Sequence, residues 1–193
     1  MQLVYGVGVN DRTVPTRLNG KRKLEYKTWQ GMLERCYSEK LHKKRPTYIG
    51  CETGSKFKHY TYFHDWCRDQ IGFGQDGFEL DKDILIKNNK LYSEDTCVFV
   101  PIEINSMMTK TNSKRGLYPI GVSFYKKMGK FIAKQRCKNN DIHLGYFNNL
   151  SDAFNAYKKE REIYIKQVAE EYKHLIDDRA YNALMNYQVG IFD

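Results

Sequence analysis

The chain has 193 residues, 41% hydrophobic and 14% aromatic, which is enough for one sizeable core or two small ones and too apolar for wholesale disorder. Thirty-two Lys and Arg against 23 Asp and Glu leave a formal charge of +9, an excess that points to a polyanionic partner. Its longest apolar runs, such as Cys97–Ile102, fall far short of the ~20 residues that span a bilayer. Met1–Gly6 lacks the charged start and long apolar stretch of a signal peptide, so the expectation is a soluble cytoplasmic protein that does not engage a membrane.

In chain order, residues 1–25 are polar and basic and read as an arm, with a short strand at Leu3–Val9. Over 25–38, Tyr26, Trp29, Met32, Leu33, Cys36 and Tyr37 recur at helical spacing. Residues 39–56 read as a loop with a basic cluster, Lys43-Lys44-Arg45. A second helix is expected over 58–70, with Tyr60, Phe63, Trp66, Cys67 and Ile71 on one face. Phe78–Leu85 and Cys97–Val100 read as paired strands, and Pro101 opens a helix over 101–111. Residues 112–118 read as a linker. Beyond it come strands at Ile120–Tyr125, Lys130–Cys137 and Ile142–Tyr146. Ser151 then caps a long helix over 152–173, and a short one covers 178–187. The fold class is α+β, with a three-stranded antiparallel sheet packed on a long helix in the second half.

Five cysteines, an odd number, argue against a disulfide framework, and no Cys-x-x-Cys pair marks a zinc site. They read mostly as buried small hydrophobes. A structural zinc is not expected, although Cys36, Cys51, Cys67 and Cys97 could meet in space; Cys36, Cys51 and Cys97 are the residues that would serve it.

The charge is unevenly distributed. Between Ile104 and Asn140 there is no acidic residue, yet nine cations stand there: Lys110, Lys114, Arg115, Lys126, Lys127, Lys130, Lys134, Arg136 and Lys138. Strand alternation puts Lys130, Ile132, Lys134 and Arg136 on one face and Phe131 and Ala133 on the other. The apolar face suits the long helix. What remains is a flat cationic platform of the kind that fits the major groove of DNA, with Arg136 placed to reach a guanine edge. A second basic cluster, Arg12, Arg17, Lys21, Arg22 and Lys23, suits phosphate contacts.

Gly121-Val122, Gly129-Lys130-Phe131, Ala133, Leu144-Gly145-Tyr146-Phe147, Ala153, Ala156 and Tyr157 occur in the order seen in AP2-type DNA-binding domains, and residues 117–160 resemble that family. The resemblance implies a sheet lying in the major groove with alternate residues reading bases. The positions that carry over are Ser123, Tyr125, Lys130, Lys134, Arg136, His143 and Tyr146, with Arg115, Lys126 and Lys127 as further cationic contacts. This gives a DNA-binding domain over 119–193.

Trp29-x-x-Met32-Leu33-x-Arg35-Cys36-Tyr37, Tyr48, Cys51, Phe63, Trp66, Leu80-Asp81-Lys82-Asp83, Tyr92-Ser93 and the Cys97–Pro101 strand make residues 26–111 resemble phage proteins of the HNH endonuclease superfamily. That implies a ββα-metal module with flanking helices, in which a divalent metal such as Mg²⁺ polarises the scissile phosphate and a His activates water. Asp81 matches the metal-binding carboxylate and is the Mg²⁺ ligand that the resemblance implies. Lys82 stands where the general-base His is expected, Asn88 or Asn89 matches the bracing Asn, and Thr96 replaces an Asn or His ligand. Asp81, Lys82, Asp83 and Asn89 are the candidate catalytic residues, with His59 and His64 as stand-in bases.

The leading expectation is a double-stranded DNA-binding protein of a phage or mobile element, derived from an HNH homing endonuclease with a substituted cleavage centre. The second is an active metal-dependent DNA endonuclease or nickase. The third is a nuclease-like scaffold that binds a host or phage protein; its 15 tyrosines suit an interface as well as a core.

Overall fold

The computed structural model describes residues 3–109, 117–138 and 140–191. Arg115, Lys110 and Lys114 of the basic stretch, and most of the expected linker, lie outside the described residues. The chain divides into two compact units, Met1–Ser106 with His174–Ala180, and Met107–Lys173 with Tyr181–Asp193. No helix among the described residues is long and apolar enough to cross a membrane.

The first unit is built on helix α1 (Leu24–Tyr37) and helix α3 (Tyr60–Arg68). Their apolar stripes bury Trp29, Met32, Leu33 and Cys36 from one and Tyr60, Phe63, His64 and Cys67 from the other. The Trp29 indole donates to the Phe57 carbonyl at 2.8 Å, so the largest core side chain also satisfies its one polar atom. The stretch expected as a loop is more structured than its sequence suggests. It holds α2 (Glu39–Lys44), capped by the Ser38 hydroxyl, 3₁₀ turns at Pro46–Tyr48 and Lys56–Lys58, and β3 (Glu52–Thr53).

The residues expected as a loose arm divide in two. Val4, Val7 and Val14 pack against the core, and Val9 hydrogen-bonds through its backbone to Lys58 and Tyr60. Only the segment after them stands out, as a two-stranded ladder of β1 (Arg17–Leu18) and β2 (Lys21–Arg22).

Strand β4 (Phe78–Asp81) pairs antiparallel with β6 (Val98–Pro101), and α4 (Ile102–Met108) follows directly. This is the strand, loop, strand, helix order expected from the sequence. The first strand ends at Asp81, short of the expected Leu85, because the Asp81 carboxylate turns the chain there. Within the loop, β5 (Leu91–Tyr92) runs parallel to β3 and ties the loop to the helical part of the unit.

In the second unit, β7 (Val122–Tyr125), β8 (Lys130–Cys137) and β9 (Asn140–Phe147) form an antiparallel sheet in the order β7-β8-β9. One face packs on α5 (Leu150–Tyr172), which is followed by α6 (Asp178–Met185). The cap of α5 is Asn149, whose side chain accepts from the Asp152 amide at 2.9 Å, rather than Ser151. Asn, Asp and Ser are near-equal caps, so Asn149-Leu150-Ser151-Asp152 offers several starts and sequence alone does not rank them. Ala153, Tyr157, Ile165, Val168 and Ala169 are the buried residues of α5.

Gly121 brings the start of β7 onto α5. Its φ is +74°, and a Cβ there would lie 2.0 Å from the Tyr157 ring. Gly121→Ala combines left-handed strain with a clash against a buried aromatic. It should destabilise this unit by on the order of 3 kcal/mol, read as a lowered denaturant midpoint. Gly129→Ala, where φ is also positive but no atom lies within 4 Å of the added Cβ, should cost distinctly less.

Candidate functional site

The sheet face opposite α5 is fixed by cross-strand register. Val122 faces Ala133 and Phe124 faces Phe131 on the inner side; Ser123 faces Ile132 and Tyr125 faces Lys130 on the outer side. Across to β9, Ile132 faces Tyr146, Lys134 faces His143 and Arg136 faces Asp141. Ala133 and Gln135 are buried between Lys134 and Arg136, which are exposed. The sheet thus brings Ser123, Tyr125, Lys130, Lys134, Arg136, His143 and Tyr146 onto one surface. Lys126 and Lys127 are exposed in the turn between β7 and β8.

That surface departs from strict alternation in one place. His143 and Tyr146 are three residues apart, yet both face outward. A register shift at Ala133/Lys134 places an extra residue, Leu144, on β9 and makes this geometry available. The His143 and Tyr146 rings lie 4.8 Å apart, and Tyr125 lies 6.1 Å from Tyr146. Among the described residues, no ion pair engages Lys126, Lys127, Lys130, Lys134 or Arg136. The sequence reading did not single out Asp141; the β8–β9 register makes it the acid beside Arg136, with Ile132 at the centre of the face.

The loop between β4 and β6 brings the other candidates together. Asp81 Oδ1 accepts from the Asp83 and Ile84 amides at 2.7 and 2.8 Å. Burial pushes the Asp81 carboxyl above its ordinary range. Lys82 is 5% exposed, and its Nζ donates to Asp83 Oδ2 at 2.6 Å and to the Asn89 carbonyl at 2.7 Å. Asn89 does brace the loop: its Nδ2 donates to the Lys82 and Leu91 carbonyls, and its Oδ1 accepts from the Leu91 amide. The buried Thr96 hydroxyl donates to the Leu91 carbonyl at 2.7 Å and accepts from the Ser93 amide.

The Tyr92 ring has two cations near it. Lys82 Nζ lies 5.7 Å from its centroid and the Arg35 guanidinium 5.4 Å, with Arg35 Nε donating to the Tyr92 hydroxyl at 3.0 Å. His64 is elsewhere, buried against α1, with Nδ1 2.8 Å from Asp65 and Nε2 3.8 Å from Glu25. His59 closes the turn before α3, and its backbone bridges to Val9.

These donors do not suit a magnesium-type ion, which needs several free oxygen ligands around it. Asp81 Oδ1 and the Thr96 hydroxyl are engaged by their own loop, Asp83 Oδ2 is tied to Lys82, and an ammonium and a guanidinium already supply positive charge. Among the described residues, no three His, Cys, Asp or Glu converge as a metal-holding group. Cys36, Cys51 and Cys97 are buried free thiols. Burial pushes the Cys36 and Cys97 thiols up to about 12 and raises Cys51.

As placed, the loop is a braced turn, and Asp81 works in it as a capping acceptor. Its raised carboxyl contributes stability that is full below the ordinary value of about 3.9 and is lost as pH rises through the folded value. Asp81→Asn keeps the acceptor without the buried charge. Its unfolding midpoint at pH 7 should match or exceed the parent's, and the difference should close in acid. Asp81→Ala, which leaves two loop amides without an acceptor, should lose about 1–3 kcal/mol.

Comparisons of the chain with protein-family models, with curated proteins and with solved structures found no match.

Proposed function

We propose that the chain binds double-stranded DNA through the outer face of the β7-β8-β9 sheet, as a phage- or mobile-element-type protein derived from an HNH homing endonuclease whose cleavage centre has been substituted. The observation that carries the reading is the convergence of Lys130, Lys134 and Arg136 on one open surface with Tyr125, His143 and Tyr146, its cations unpaired among the described residues. Bringing like charges together on a small sheet costs Coulomb energy unless an anion offsets it. Three strands at ~4.8 Å spacing make a platform roughly 10 Å across. The major groove is ~12 Å wide and admits such an element. Lysines at the β7–β8 turn sit at the platform's end, where the phosphate walls of the groove would run. Arg136 offers a fork for a guanine edge, and Asp141 beside it limits how that fork turns. The rings of Tyr125, Tyr146 and His143 supply apolar contact for sugars and thymine methyls.

The ββα loop supports binding without cleavage. An HNH-like centre needs a base able to take a proton and a metal held by open ligands. Here the position expected for the base holds Lys82, which is spent on Asp83 and the Asn89 carbonyl, and the metal-ligand position holds a loop-capping Asp81.

The parent protein should bind duplex DNA with an affinity that falls steeply with salt. Replacing Lys134 and Arg136 together with Gln should weaken binding by about 1–3 kcal/mol for each base that is no longer read, and should narrow the gap between preferred and random sequence. Plasmid incubated with Mg²⁺ or Mn²⁺ should remain supercoiled. Nicking that Asp81→Ala abolishes would select the endonuclease reading instead. Unchanged affinity and salt slope in the double variant would remove the sheet from the account.

A further inference from the structure

The β1–β2 hairpin carries a conflict that the described fold does not resolve. Its turn is Asn19-Gly20, with φ of 49° and 74°, the pair of positive values that a two-residue primed turn requires. Leu18 pairs with Lys21 and Arg17 with Arg22. The Lys23 amide donates to the Thr16 carbonyl at 2.9 Å, which makes that next pair hydrogen-bonded. Arg17 and Arg22 therefore occupy the intervening non-hydrogen-bonded pair, where Cα atoms approach to about 4.5 Å and side chains are closest. Like charges directly opposite destabilise a ladder, and an isolated two-stranded hairpin is marginal to begin with.

Close carboxylate partners are absent among the described residues. From Arg12 to Leu24 the sequence has no acidic residue, and Arg17, Leu18, Lys21 and Arg22 are all exposed. Among the described residues, no carboxylate forms an ion pair with Arg12, Arg17, Lys21 or Arg22. The partners both guanidiniums do have are neutral: Arg17 Nη1 donates to the Gly20 carbonyl at 2.9 Å, and Arg22 Nη1 to Gln30 Oε1 at 3.3 Å. Each of these bonds uses one edge and leaves further N–H groups for an anion.

We infer that this hairpin is a second DNA contact, a phosphate clamp in which Arg17 and Arg22 grip the duplex backbone without reading sequence. The inference rests on the reading that the partner is duplex DNA, but it uses residues of the other unit and a separate observation. Two adjacent planar forks match phosphate oxygens, and phosphate neutralises the repulsion between them.

The test is a salt titration of binding between the full-length chain and a mixed-sequence duplex. It compares the parent with Arg17→Gln/Arg22→Gln, with Arg17→Lys/Arg22→Lys, and with the Lys134→Gln/Arg136→Gln sheet variant. The Gln hairpin variant should lower the slope of log affinity against log salt by about 2, at ~0.9 per neutralised phosphate, and weaken binding severalfold for every sequence alike. The Lys variant should keep most of the slope. Thermal midpoints at low salt should be unchanged or raised by the Gln pair, because the repulsion is gone. A Gln variant that matches the parent while the sheet variant weakens overturns the clamp and leaves the sheet reading standing. The reverse pattern keeps the clamp and removes the sheet. A Lys variant that loses as much as the Gln variant, with a lowered midpoint, overturns the clamp in favour of a structural role. A parent that does not bind duplex DNA overturns both.

Discussion

The second unit depends on the burial of one side of β8 against α5. Phe131, Ala133 and Gln135 face the helix, and because side chains alternate along a strand, Lys130, Ile132, Lys134 and Arg136 have no choice but to face away. The hydrophobic requirement on one side thus determines the electrostatics of the other. A register slip of one residue would bury three cations and expose the core, so the display of charge is as rigidly specified as the packing. Gln135 enters this arrangement as a buried polar residue whose Nε2 donates to the Arg136 carbonyl, next to a cation of the open face.

The first unit uses positive charge in the opposite manner. Lys82 and Arg35 are turned inward, against Tyr92, and the ammonium is held by a carboxylate and a main-chain carbonyl. A buried charge is tolerated when its partners are this complete, and removing one of them is costly. The loop between β4 and β6 is cross-braced by Asn89, Thr96 and Asp81. The same residues that resemble a reaction centre in sequence therefore act together as a tie between β4 and β5.

Much of the architecture was legible from periodicity. Trp29, Met32, Leu33 and Cys36 announced α1, and Lys130–Cys137 announced β8 with its bounds as found. Short elements were not. The β3 and β5 strands are two residues each and pair in parallel across a wide sequence gap, so no local pattern marks them. The α2 helix hid in a run of Lys and His that reads as loop because its six residues bury nothing. At the candidate sites, residue identity placed Asp81, Lys82 and Asn89 in one loop, but the Lys82–Asp83 pairing and the role of Tyr92 depend on rotamers and on a distant helix. The sequence pattern marked the cations of the sheet; alternation alone would have separated His143 from Tyr146, and the register shift brings both to that surface.

The irregularity in β9 has an evolutionary reading. Because one additional residue rotates the strand by half a turn, every side chain beyond it is presented with inverted parity relative to a regular ladder. Gain or loss of a single codon there would exchange the whole set of groups shown by that end of the strand in one event. The same event would turn that end's apolar groups away from α5, so the extra residue is held in place by the seam it borders.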